Sequence, residues 1–255
     1  MRILGWEEFL QDTKTGSAVA MTIGVFDGLH AGHQALIGKV VSYAAAAAKA
    51  EPWVITFRDN PKRFLRPESY PGDILPFQAK LDKLAALGIC TCIIIDFSAE
   101  FGKLKGGDFL SLICGRLRLC YLSIGEDFHF GCRMDTNAEK AKAFLAPLGV
   151  RVEILPPVYH EGSRISSTRI RGFIQDGDFR AAASMLGHPY RLELSGRTDQ
   201  PECAARTELT QVVPRAGRFP ALFEGTAGRR EGFVDADGQG ISWHYDGNVE
   251  AITFI

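Results

Sequence analysis

From residue 18 to about residue 155, short apolar runs alternate with stretches of helical spacing. That alternation constrains the fold more than any other feature of the chain. The strand-like runs are 18–25, 52–57, 90–97, 119–124 and 150–155, and the helix-like stretches between them are 33–50, 76–87, 107–116 and 137–148. Each strand-like run is short, β-rich and apolar at nearly every position, as strands covered on both faces are. Strands of this kind separated by helices predict a parallel sheet in a doubly wound α/β domain. Ligands of such sheets sit beyond the carboxyl ends of the strands. Three polar segments fall at such ends: Gly24 to His33, Arg58-Asp59-Asn60-Pro61 and Gly125-Glu126-Asp127-Phe128.

The first of these is Gly24-Val25-Phe26-Asp27-Gly28-Leu29-His30-Ala31-Gly32-His33. It follows the apolar run Ala18-Val19-Ala20-Met21-Thr22-Ile23 and opens into a stretch of helical spacing. A strand, a glycine-rich turn and a helix start bring backbone N–H groups and a helix dipole together, which suits phosphates. His30 and His33 at the mouth of that turn can donate hydrogen bonds to phosphate oxygens as charge develops. The bare HxxH spacing is equally that of two ordinary histidines at a helix N-terminus, and a metal pair would need further ligands that no acid or thiol cluster supplies. The glycines Gly24, Gly28 and Gly32 after a strand favour phosphate binding.

A second anion site is predicted at Arg164-Ile165-Ser166-Ser167-Thr168-Arg169-Ile170-Arg171. Hydroxyls before a helix cap its free N–H groups, and the arginine fork suits phosphate. A simple cap with solvated arginines would read the same way. In Gly125-Glu126-Asp127-Phe128-His129-Phe130-Gly131, two phenylalanines beside an acid can line a pocket for a planar ring, or fold as a loop onto the sheet. Asn60, followed by Lys62 and Arg63, can meet polar ligand groups, or sit in a plain loop.

Past two helices expected at 167–175 and 178–186, Gly187-His188-Pro189-Tyr190 breaks the pattern and marks a domain boundary. The expected domains are 1–187 and 188–255. Beyond the break, short strand candidates stand at 191–195, 207–213, 221–225, 232–234, 241–245 and 249–254. Asp237-Gly238 and Asp246-Gly247 read as hairpin turns. This part is expected to form a small antiparallel β-barrel-like domain. Tyr43-Ala44-Ala45-Ala46-Ala47-Ala48 reads as a packed helix.

The net charge of −1 gives no global pull toward nucleic acid or an anionic membrane, so an anion must be held by a local site. Acids at Glu7 and Glu8 argue against a secretory signal, and no apolar run has the length of a membrane span. The expectation is a cytoplasmic protein whose six cysteines stay reduced. Their spacing lacks the paired pattern of a zinc site.

In order and spacing, these segments resemble the bacterial FAD synthetases, which combine riboflavin kinase with FMN adenylyltransferase. The resemblance rests on Gly-x-Phe-Asp-Gly-x-His-x-Gly-His, Gly125-Glu126-Asp127-Phe128-x-Phe130-Gly131, Ser166-Ser167-Thr168-x-Ile170-Arg171 and Leu186-Gly187-x-Pro189-Tyr190. It implies a Rossmann-like nucleotidylyltransferase domain that transfers AMP from ATP to FMN, with Mg2+ held mostly by ATP oxygens and pyrophosphate released. His30, His33 and Arg171 would be catalytic. Gly24, Phe26, Asp27, Gly28, Arg164, Ser166, Ser167 and Thr168 would hold ATP. Asn60, Asp127, Phe128 and Phe130 would lie toward FMN. No protein ligand of the metal, nucleic-acid partner or membrane is implied, and protein partners stay open.

The chain departs from the family pattern at Asn60, often His there, and at His129, usually Arg. Leu194-Ser195-Gly196-Arg197-Thr198-Asp199 begins like the kinase domain, but the family's Pro-Thr-Ala-Asn does not follow. The last domain is therefore expected to be a shortened remnant without riboflavin kinase activity. Two other readings stay open on the sequence. One is a non-catalytic flavin- or nucleotide-binding protein. The other is an adenylyl- or cytidylyltransferase acting on a different phosphorylated acceptor.

Overall fold

The computed structural model describes residues 1–12, 16–46, 50–194 and 202–255. The chain forms two compact units. The first comprises Met1–Phe26, Gly32–Pro67 and Phe77–Val158, and the second Asp27–Ala31, Glu68–Pro76 and Tyr159–Ile255.

The first unit is built on six strands: β1 (Arg2–Gly5), β2 (Ala18–Ile23), β3 (Ala50–Phe57), β4 (Thr91–Ile95), β5 (Arg118–Gly125) and β6 (Arg151–Leu155). All pair in parallel, in the order β1-β4-β3-β2-β5-β6. Setting the edge strand β1 aside, this is the doubly wound order, and its direction reverses between β2 and β5. The helices are α1 (Trp6–Asp12), α2 (Ala31–Ala46), α3 (Pro61–Leu65), α4 (Phe77–Ala86), α5 (Gly106–Arg116) and α6 (Ala138–Leu145). Strand β1 and helix α1 have no counterpart in the sequence expectations; four residues at an edge are too few to display a period. Of the alanine run, Ala47 and Ala48 lie outside the described residues.

Alternation along the strands divides the sheet into two apolar faces. Val19, Met21 and Ile23 join Trp53, Ile55, Ile93 and Ile95 in a core with Phe9 of α1, Ile113 of α5 and Leu145 of α6. On β5 the register slips: Val19 faces Leu119 but Ala20 faces Tyr121, leaving Cys120 as a bulge. The bulge lets both Leu119 and Leu122 reach the same core. Tyr121 turns to the opposite face, where its ring stacks on Tyr43 of α2 with centroids 4.2 Å apart.

The second unit holds α7 (Ser167–Asp176) and α8 (Phe179–Leu186), capped by Ser166 and Asp178 and stopped by the left-handed glycines Gly177 and Gly187. Besides the two-residue ribbon of Tyr159–His160 and Ser163–Arg164, its strands are β7 (Arg191–Glu193), β8 (Cys203–Ala205), β9 (Gly217–Gly225), β10 (Gly228–Ala236), β11 (Gly240–Trp243) and β12 (Val249–Phe254). They form one antiparallel sheet in the order β7-β12-β9-β10-β11-β8. Phe179 of α8 stacks on Phe254 of β12 at 4.1 Å.

Two local expectations are corrected here. Residues 207–213 do not form a strand: a 3-10 turn occupies Arg206–Glu208, and Gln211 makes one isolated bridge to Asp73. The buried Gln211 side chain satisfies the backbone instead, accepting from the Glu193 amide at 2.8 Å and donating to the carbonyls of Arg191 and Ile74. Asp246-Gly247 joins β11 to β12, which are not neighbours in the sheet, so it is a crossing turn and not a hairpin. The dipeptide reports local backbone, with Gly247 at φ +119, but not which strands will pair. Asp237-Gly238 does join the paired strands β10 and β11. The start of the kinase-like stretch, from Ser195 to Asp199, lies outside the described residues.

Candidate active site

In the first unit, β2 ends in a turn whose backbone is held from three directions. The Gly24 amide donates to the Ile55 carbonyl at 3.1 Å, extending the ladder one residue beyond the strand. Thr56 Oγ1 donates to the Val25 carbonyl at 3.1 Å. Lys80 Nζ donates to the Phe57 carbonyl at 2.6 Å and to that of Val25 at 3.4 Å. Phe26 takes a left-handed conformation, with φ 53, and its ring is buried. That ring lies over Gly24, where any Cβ would come within 3.0 Å of it, so the position needs glycine unless the ring shifts. It also meets the ring of His33, on the first turn of α2, with centroids 5.3 Å apart and planes at 82°. Gly24, Phe26 and His33 are thus one packed group.

The second unit holds the remainder of the histidine segment, Asp27 to Ala31, in which His30 is buried. Asp27 Oδ1 accepts from the amides of Ile74 and Leu75 at 2.9 and 3.2 Å. Its Oδ2 accepts from Arg171 Nη2 in a closely apposed ion pair. Arg171 Nε donates to the Gly72 carbonyl at 2.9 Å, and Nη2 also reaches the Tyr70 hydroxyl at 3.3 Å. The Tyr70 hydroxyl donates in turn to Asp73 Oδ1. Burial pushes the Asp27 carboxyl up and Asp73 adds to the rise, against Arg171 and the two backbone amides. Burial, then the Asp27 and Asp73 carboxyls, push the Tyr70 phenol up as well.

The start of α7 meets the same segment. Ser167 Oγ donates to the backbone carbonyl of Asp27 at 3.0 Å, while Ser166 caps the helix by accepting from the Arg169 amide. Gly28, at φ +83, leaves room for Ile74 and Leu186, each of which a Cβ would approach at 3.1–3.2 Å. Asp27, Gly28, Ser167 and Arg171, drawn from distant parts of the chain, are therefore one assembly. Thr168 and Arg164 are exposed, Arg164 on a two-residue ribbon strand. Arg171 differs from both: it is buried, with its donors directed at Asp27, Gly72 and Tyr70.

The remaining candidates follow the carboxyl ends of β3 and β5. Asn60 is the N-cap of α3 and accepts from the Lys62 amide at 3.1 Å, so the stretch for which a plain loop was the alternative reading is a short helix with Pro61 at its first turn. Phe128 stacks on Phe130 at 5.0 Å, and both rings pack against the core of the first unit. Asp127 is exposed.

Sequence reasoning did not single out Tyr70, Gly72, Asp73 or Lys80. The Pro71-Gly72 turn dipeptide was the only signal for the first three. For Lys80 there was a better one: it shares the buried face of α4 with Leu81 and Leu84, where a cation is unexpected.

Several known proteins are similar to this chain in sequence or fold. The family model described as FAD synthetase matches residues 12–169. The FAD synthetase of Listeria monocytogenes is 30% identical over 214 residues, which cover 82% of this chain and 83% of that protein. The bifunctional riboflavin kinase/FMN adenylyltransferase of Buchnera aphidicola is 28% identical over 198 residues, 77% of this chain. The match spans only 62% of the Buchnera protein's length. Among solved structures, a macrolide-efflux protein from Streptococcus pneumoniae superposes with a TM-score of 0.79 at 25% identity, covering 100% of this chain and 89% of that one. With its family model matched over more than half its length, the chain belongs to the FAD synthetase family.

Proposed function

We propose that this protein transfers AMP from ATP to FMN, forming FAD and releasing pyrophosphate. The observation that carries the reading is the tie between two distant phosphate-type motifs. Asp27 of the histidine segment is held by Ser167 through its carbonyl and by Arg171 through its carboxylate. In this reading His30 and His33 donate to the phosphate oxygens as charge develops on them. The backbone from Gly24 to Gly28, including Phe26, gives the nucleotide a close approach. Ser166, Ser167, Thr168 and Arg164 serve the outer phosphates at the start of α7. Arg171 acts by holding Asp27, since its guanidinium is buried against that carboxylate. Asn60, Asp127, Phe128 and Phe130 stand on the flavin side.

Mg2+ enters with ATP and keeps phosphate oxygens as its main ligands. Among the described residues, no group of three or more His, Cys, Asp or Glu side chains is clustered to hold a metal ion. The proposed division of labour gives AMP transfer to residues 1–187. It leaves 188–255 as a kinase-like domain without riboflavin kinase activity, because Pro-Thr-Ala-Asn is missing from the sequence. The Listeria relative bears the name FAD synthetase alone, and the chain covers more of it than of the bifunctional Buchnera protein. A cytoplasmic location suits this role; among the described residues no helix is long and apolar enough to cross a membrane.

The test is to incubate the purified protein with Mg-ATP and either FMN or riboflavin, and to separate the products by chromatography. FAD from FMN, with no FMN from riboflavin, is the expected result. Absence of FAD overturns the transferase reading, and FMN formed from riboflavin overturns the loss of kinase activity.

A further inference from the structure

Lys80 is 5% exposed and lies in the first unit with its ammonium directed at two backbone carbonyls. One belongs to Phe57, the last residue of β3, and the other to Val25, two residues past the end of β2. Where parallel strands run out, their terminal carbonyls leave the ladder and need another donor. Burying a cation is costly unless it is well hydrogen-bonded, and a leucine or methionine would fill this face of α4 without that cost. Phe77, at the start of α4, has Lys80 at 5.4 Å from its ring centroid and the Arg58 guanidinium at 5.0 Å. Arg58 is the first residue after β3. Helix α4 therefore fastens the exits of both strands through one buried ammonium and one aromatic ring in contact with two cations.

Resting on the AMP-transfer reading above, we infer that Lys80 is a positioning residue for ATP binding: it joins the Gly24–Phe26 turn to the end of β3 and places a fixed positive charge at that junction. Its charge, and not only its hydrogen bonds, is the useful property. A neutral donor would hold the carbonyls but would not favour an anion on the turn.

The test compares Lys80→Gln, which keeps an N–H donor and loses the charge, with Lys80→Arg, which keeps the charge. Binding of Mg-ATP and of FMN is measured directly on the full chain, beside a thermal melt. Lys80→Gln is expected to weaken Mg-ATP binding by about tenfold or more while FMN binding stays within about twofold, and Lys80→Arg to remain within about threefold for both. Equal weakening of both ligands by Gln, no weakening of Mg-ATP, or an Arg variant as weak as Gln would overturn the inference. If Lys80→Gln does not fold, the Arg variant carries the test alone. A wild-type ratio of Mg-ATP to FMN affinity upholds the inference, and a tenfold fall in that ratio overturns it. The functional reading fails separately, if the unaltered protein makes no FAD.

Discussion

Asp27 and Arg171 lie 144 positions apart in sequence and form a buried ion pair, each about 6% exposed at its side chain. Every oxygen of the carboxylate is in use: one on two backbone amides, the other on the guanidinium. Removing one partner strands the other charge in the interior, which costs about 3–5 kcal/mol. Arg171→Met and Asp27→Asn are therefore each expected to lower stability by that order in urea denaturation. The double variant should cost clearly less than the sum, because no lone charge remains. Arg171→Lys should not rescue, since one ammonium does not reproduce the two-directional hold on Asp27 and Gly72.

Gly72 accepts from Arg171 Nε and stands at φ +118, where its missing Cβ would lie 2.6 Å from the backbone nitrogen of Val212. Backbone cannot retreat as a flexible side chain can. Gly72→Ala thus combines a strained conformation, worth about 1–3 kcal/mol, with a clash that must displace the segment. The expected outcome is a larger loss of stability than for Gly38→Ala in α2, where nothing lies within 4 Å of the added carbon. A pair of thermal melts checks it.

The doubly wound sheet was legible because its strands are buried on both faces, and continuous apolar runs survive in sequence. The assembly of Asp27, Ser167 and Arg171 was legible only as two separate anion motifs; their contact is tertiary. The motif pattern left the surroundings of Arg171 open, as a phosphate-gripping residue or a solvated one beside a helix cap. Only the fold brings the Asp27 carboxylate to it. Tyr70 and Gly72 left only the Pro71-Gly72 turn as a signal, because both act through a loop with no period. In the antiparallel sheet the turn dipeptides marked local bends well, but Asp246-Gly247 shows that a bend does not say which strands pair.

Glu224 of β9 is paired with Arg191 and Arg229. The Arg191 hydrogen bond, more than any other influence, holds its carboxyl below the usual value, with slight burial acting in the opposite sense. A depressed carboxyl contributes stability that is complete above its unfolded pKa, 4.5, and is lost as pH falls through the folded value. The unaltered protein should therefore lose more stability than Glu224→Gln between about pH 5.5 and about pH 3.5. Because the side chain is one quarter exposed, the difference should not exceed about 1 kcal/mol. Denaturant midpoints at the two pH values measure it.

The six cysteines stand as free thiols, and their environments differ. Cys92 sits in β4 with no exposed surface, and burial pushes its thiol up to about 12. Cys203 is exposed on β8. Since the thiolate is the reactive form, Cys203 should be alkylated within minutes at neutral pH, and Cys92 only when the protein unfolds. Mass spectrometry of timed iodoacetamide labelling distinguishes the two. Rapid labelling of Cys92 would mean that the central sheet opens readily.

His33 packs at right angles against the ring of the buried, left-handed Phe26. If it stabilises charge developing on the transferred phosphate, its contribution belongs to the transition state and not to flavin binding. His33→Ala should then lower kcat by about 100–1,000-fold while the dissociation constant for FMN moves by less than about twofold. Loss of the ring contact should cost only about 0.5–1.5 kcal/mol in stability, leaving the protein folded for the assay. Steady-state rates of FAD formation and flavin fluorescence titration separate these effects. Equal losses in rate and in FMN affinity would assign His33 to binding or folding. Phe26→Leu offers a graded version of the same experiment: it keeps part of the apolar bulk but removes the ring that His33 packs against, so kcat should fall less than for His33→Ala, while truncation of this fully buried side chain should cost about 1–2 kcal/mol in stability.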